Sequence, residues 1–110
     1  MIFDKEGTTT TVHQENISIN EFLKSLEEKY EKVQEEHLIL NLFTFKKLTS
    51  GDILEFLEIS KKHSKKNKSF VLVTDKVAFD DIPVGITVTP TLQEAKDIIA
   101  MEEIERDLGI

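Results

Sequence analysis

The chain has 110 residues, with 14 basic and 21 acidic side chains and a formal net charge of −7. That length suits one domain with a core that needs no cross-links, and the acidic balance argues against general nucleic-acid binding, where phosphate contacts want a basic surface. Cysteine is absent, which excludes disulfides and thiolate metal sites and fits a reducing compartment.

No stretch approaches the ~20 apolar residues needed to cross a bilayer. The opening MIFDKEGTTT also lacks the apolar core of a secretory signal. The expectation is a soluble cytoplasmic domain without membrane contact.

Met1 to Lys5 predicts a short edge strand, and Lys5-Glu6-Gly7 a turn, because glycine tolerates positive φ. Thr8 to Gln14 is rich in β-branched residues and predicts a second strand hairpinned to the first. His13 lies on it as a lone histidine, a surface residue more often than a ligand.

Ser18 opens the first helix, with Glu21 three residues on in a capping-box pattern. Ile19, Phe22, Leu23, Leu26, Tyr30 and Val33 recur at helical spacing and predict a core-facing stripe. Glu27, Glu28, Lys29, Glu31 and Lys32 fall between them on the solvated side.

His37 to Leu57, HLILNLFTFKKLTSGDILEFL, organises the chain. Leu38, Ile39, Leu40, Leu42 and Phe43 form an almost unbroken apolar run, the pattern of a central strand covered on both faces. Thr49, Ser50 and Gly51 end the following loop. Thr49 or Ser50 caps a second helix, with Asp52 in its first turn. Ile53, Leu54, Phe56, Leu57 and Ile59 supply its packing face, and the helix runs out in a basic block of Lys61, Lys62, His63, Lys65, Lys66 and Lys68, read as a solvated helix end.

Ser69 to Thr74, SFVLVT, predicts another buried strand. Two buried strands joined by a helix make a parallel βαβ unit. Residues 75–83 hold at most one helical turn, around Val77, Ala78 and Phe79. Ile86 and Val88 mark a last short strand, which Pro90 stops. Thr91 and Glu94 open a final acidic helix over about 91–108, with Leu92, Ala95, Ile98 and Ile99 as its buried stripe. Met101, Ile104 and Leu108 form a further apolar set beyond the expected edge of the domain. The fold class is therefore α/β, a mixed sheet with parallel central strands and packed helices, with residues 1–110 as a single domain.

The residue inventory predicts no enzyme. His13, His37 and His63 lack metal-ligand spacing, and no serine stands beside a credible base. Thr49-Ser50-Gly51-Asp52 lacks the glycine run and lysine of a phosphate-cradling loop. No metal or cofactor is expected. Ser50 is the one candidate phosphoacceptor: a phosphate at a helix start gains from free amides and the helix dipole, although Asp52 and Glu55 would repel it. A plain cap is the other reading of the same residue.

Two surfaces suit a protein partner. One is the loop and helix start at Lys46, Lys47, Thr49, Ser50, Gly51 and Asp52. The other is the Met101, Ile104 and Leu108 stripe, which can dock in a groove or pair with its own copy in a homodimer.

The element order, with LILNLFTFKKLTSGDILEFL as its most telling piece, resembles the STAS domain of bacterial anti-sigma-factor antagonists over roughly residues 8–100. Asn41 stands at the family's acidic strand position and Leu48 at the apolar residue before the turn. Thr49 replaces the family's aspartate, and Ser50 falls at the serine or threonine that a partner kinase phosphorylates in switched members. Thr91-Leu92-Gln93-Glu94-Ala95 is similar to the family's closing motif. Asp52 stands near the usual glycine, and the third helix is cut to a turn. The resemblance implies a STAS-like fold and a non-enzymatic regulatory domain that binds a protein partner through the loop–helix edge near residues 46–56, phospho-regulated at Ser50.

The closing MEEIERDLG also resembles small acidic bacteroidete proteins filed as ribonuclease Z. Such a nuclease needs a His-x-His-x-Asp-His cluster that this chain lacks. The second resemblance therefore implies an accessory subunit of an RNA-processing or other cytoplasmic enzyme, docking through the acidic C-terminal helix, and not the enzyme itself.

Overall fold

The computed structural model describes residues 1–13 and 17–109. Gln14, the expected end of the second strand, lies outside them. Within the described residues five strands form one sheet in sequence order: β1 (Ile2–Glu6), β2 (Thr9–His13), β3 (His37–Asn41), β4 (Phe70–Val73) and β5 (Thr87–Thr89). β1 runs antiparallel to β2 through a tight turn at Gly7, whose φ of 62° is one that glycine adopts without a side-chain clash. The pairs β2–β3, β3–β4 and β4–β5 are parallel.

Among the described residues four α-helices connect and cover the strands: α1 (Ile19–Val33), α2 (Ser50–Leu54), α3 (Leu57–Ser64) and α4 (Leu92–Asp107). Among the described residues a single 3₁₀ turn, Phe79–Asp81, lies in the segment that joins β4 to β5. Ser18 caps α1 by accepting the Glu21 amide at 3.2 Å, and Thr91 caps α4 by accepting the Glu94 amide at 3.1 Å.

Register explains the layers. Side chains alternate along a strand, and paired residues share a face. Val12, Leu38, Leu40, Phe70 and Leu72 thus point to one side, the front. There they meet Phe22, Leu26 and Tyr30 of α1, Ile53 of α2, Phe56, and Ile59 of α3. Ile39, Val71 and Val73 point to the back and meet Ala95 and Ile99 of α4. Leu38, Ile39, Leu40, Val71 and Leu72 are all fully buried. The central segments are thus strands dry on both sides, as their apolar runs predict.

Three expectations need correction. Phe43 is not part of the buried run: β3 ends at Asn41, whose Oδ1 accepts the Phe43 amide at 3.1 Å and turns the chain, leaving Phe43 41% exposed. The helix after the loop is not continuous. The Glu55 and Phe56 amides bond back three residues, to Asp52 and Ile53, and this tightened turn separates α2 from α3. The turn brings Phe56 inward, edge-on to Phe22 at 6.0 Å, and leaves Leu54 49% exposed instead of packed. Finally, His63 is not part of a solvated basic block but fully buried.

Candidate partner-binding surface

The loop after β3 is held by three apolar pins. Leu42 is fully buried and its amide bonds the Val73 carbonyl at 2.9 Å. Phe45 is half-buried and lies edge-on to Phe22 at 6.3 Å. Leu48 is buried just before the helix. Between and beyond the pins, Lys46, Lys47, Thr49, Ser50 and Gly51 are exposed and Asp52 is half-buried.

Thr49 is the cap of α2. Its Oγ1 accepts the Asp52 amide at 3.1 Å, and Asp52 Oδ2 accepts the Thr49 amide at 3.0 Å, a reciprocal box. Ser50 is therefore the first helical residue, with a hydroxyl that plays no part in capping. The predicted loop–helix residues thus form one continuous surface on a fixed frame, flanked in sequence by the exposed apolar side chains of Phe43 and Leu54.

Met101 and Ile104 lie elsewhere, on the helix that covers the back face, and Leu108 caps that helix, with exposures of 60%, 59% and 67%. Their spacing of three and four residues makes one stripe. The last turns of α4 do not leave the domain, as the sequence suggests. They are tied to the amino ends of the strands by polar residues. Ser69 Oγ donates to Glu102 Oε1 at 2.5 Å, Arg106 Nη2 donates to Ser69 Oγ at 3.0 Å, and His37 Nε2 lies 2.6 Å from Glu103 Oε1. His37 Nδ1 accepts the Ser69 amide at 2.9 Å, so its proton sits on Nε2 and is donated to Glu103. Burial, followed by the opposing pull of Glu103 and the repulsion of Arg106, leaves the His37 pKa below its ordinary value.

A second polar pair lies under the front helices. Tyr30 Oη and His63 Nδ1 are 2.6 Å apart, and His63 Nε2 is 2.7 Å from the Glu36 carbonyl. A carbonyl only accepts, so Nε2 carries the proton and Tyr30 donates to Nδ1. Burial pushes the His63 pKa down to about 4. Burial pushes Glu36 upward, but hydrogen bonds from Lys5 and Thr10 and the Lys5 charge outweigh it and hold its carboxyl below the usual range. In sequence nothing marks these groups beyond a histidine at the end of an apolar helix face, because their partners come from distant segments.

Among the described residues no group of three or more His, Asp or Glu side chains is placed to hold a metal ion. None of the helices searched is long and apolar enough to cross a membrane. No family model matches the chain, and no curated protein matches it.

Proposed function

We propose that this chain is a non-enzymatic interaction domain of STAS-like type that binds a protein partner through the loop–helix edge at Lys46, Lys47, Thr49, Ser50, Gly51 and Asp52. One observation carries the reading: buried Leu42 and Leu48 and the packed Phe45 fix the loop, so that its cationic and hydroxyl side chains are presented in a set arrangement beside exposed Phe43 and Leu54. Preorganised side chains lose less freedom on binding than those of a floppy loop. Two lysines beside apolar groups suit a partner patch that is apolar with acidic margins.

Phosphorylation of Ser50 is the regulatory half of the proposal. A phosphate there adds negative charge next to Asp52, whose carboxylate already accepts the Thr49 amide. Like-charge repulsion would loosen the capping box and offset the lysines. Incubation with kinase-containing lysate from the source cell should give a phosphate mass shift at Ser50. Absence of the shift removes the switch. Affinity capture should lose the same partner with Lys46→Glu/Lys47→Glu and with Ser50→Asp; unchanged capture by the double-lysine variant rejects the surface.

A second reading is favoured by the Met101, Ile104 and Leu108 stripe on an acidic helix: an accessory subunit of an RNA-processing or other enzyme docking through α4, or a homodimer formed through it. The discriminating variant is Met101→Ser/Ile104→Ser. It removes apolar surface while keeping the Glu102, Glu103 and Arg106 contacts that a tail deletion would destroy. Loss of partner capture or of self-association in this variant, with the loop variants silent, selects this reading.

A further inference from the structure

The two edges of the sheet are built differently. β1 carries exposed charges at Asp4, Lys5 and Glu6, the usual way of keeping other strands from pairing with an edge. β5, Thr87-Val88-Thr89, carries no charge. The Thr89 carbonyl accepts the Thr74 amide at 3.0 Å, so Thr89 faces β4. In a parallel ladder alternate residues bond to opposite sides, which turns the Val88 amide and carbonyl toward the open edge.

The surroundings of that edge are apolar and concave. Phe79 is 87% exposed and Val84 97% exposed, both on the segment joining β4 to β5. Two cavities flank β5 and share Phe79, Ile82 and Val88. One of about 280 Å³ reaches Val77 and Pro90, and the other, of about 580 Å³, reaches Val84 and Ile98 on the back-face helix. The groove therefore wraps the edge from front to back.

Its charge has one sign. Asp75 and Asp80 line the cavities and Asp81 adjoins them in the 3₁₀ turn. Lys76 pairs with Asp75 at 3.2 Å, whereas among the described residues Asp80 and Asp81 form no ion pair.

We infer that the β5 edge is a second docking site, for an extended segment of a partner protein that pairs with Val88 as an added strand, sets apolar side chains against Phe79, Ile82 and Val84, and carries lysine or arginine toward Asp80 and Asp81. Backbone pairing supplies generic affinity, side chains on alternate positions enter the flanking cavities, and the acidic rim selects basic flanks. The site is independent of the loop–helix surface, since it uses none of its residues.

The test uses a labelled synthetic peptide of alternating valine and threonine with two lysines at each end, titrated into the full chain with amide NMR. Shifts concentrated at Gly85, Ile86 and Val88 are expected. Binding should weaken as salt rises and be lost when the peptide's backbone is N-methylated at alternate positions. Phe79→Ala and Asp80→Lys/Asp81→Lys change only exposed positions, and each should weaken binding about tenfold or more, the effect of losing one well-buried aromatic contact or of reversing the rim. The proposal is overturned if the same peptide with glutamates binds equally well, or if the N-methylated peptide still binds. It is also overturned if the shifts fall on residues 43–54, or if the Gly85, Ile86 and Val88 amides shift with protein concentration alone, which would assign the edge to a second copy of the chain.

Discussion

The two faces of the sheet are covered in different ways. The front is covered by three helices and packed with interlocking rings, Phe22 standing edge-on to both Phe45 and Phe56. Among the described residues the back is covered by α4, whose first half contributes Ala95 and Ile99 and whose second half contributes Glu102, Glu103 and Arg106. The difference shows that one helix can be held by two kinds of force along its length. Apolar contact holds it over the middle of the sheet, and charge-assisted hydrogen bonds hold it where the strands begin.

Truncating the front core should have the largest effect. Phe22→Ala removes a fully buried ring with two aromatic neighbours and should cost about 3–5 kcal/mol in urea unfolding. Acid tests the front's buried histidine. Its pKa is held near 4 in the folded chain, below the value of 6.5 that it regains on unfolding, so the unfolded state takes up the proton first. The stabilisation, about 3 kcal/mol, is complete above pH 6.5 and is lost between pH 6.5 and 4. Denaturant midpoints measured across that window should fall with pH. His37 on the back, also lowered, acts with the same sign, and the slope that survives in a His63→Gln variant reports on it. Glu36 adds a further loss below its ordinary value of 4.5, because its folded pKa is depressed.

Ile99→Ala probes the back core. A single helix can settle toward the sheet and close part of the gap, so the cost should lie near the low end for such truncations, about 2 kcal/mol. A loss equal to that of Phe22→Ala would break the contrast between the faces. Thr49→Ala removes one arm of the capping box and should cost about 1 kcal/mol. Smallest of all, Leu54→Ser should change stability by less than about 0.5 kcal/mol, because the side chain is half in water. If the unfolding midpoint drops as far as for Thr49→Ala, the α2–α3 break does not leave Leu54 idle.

Most of the fold was legible because its signals are local. Apolar runs mark β3 and β4, the spacing from Phe22 to Val33 marks α1, and Ser18, Thr49 and Thr91 mark three helix starts. Phe43 and Leu54 misled because periodicity does not show where a strand turns or where a helix tightens. The loop–helix residues are neighbours in the chain, so their proximity is a matter of sequence. The ties from His37 to Glu103 and from Tyr30 to His63 join residues 66 and 33 positions apart, beyond the reach of any local pattern. The β5 groove was equally hidden, because it depends on which way a short irregular crossing lies.

The strand order has a consequence for the order in which the chain can fold. All five strands precede α4, so the sheet can be complete while Ile39, Val71 and Val73 still face water. The front helices, by contrast, emerge between the strands they cover and can pack as they appear. A chain truncated just before Thr91 should thus expose an apolar patch at Ile39, Val71 and Val73, the sort of surface that chaperones grip and that sticks to its own kind. Docking of α4 covers that patch.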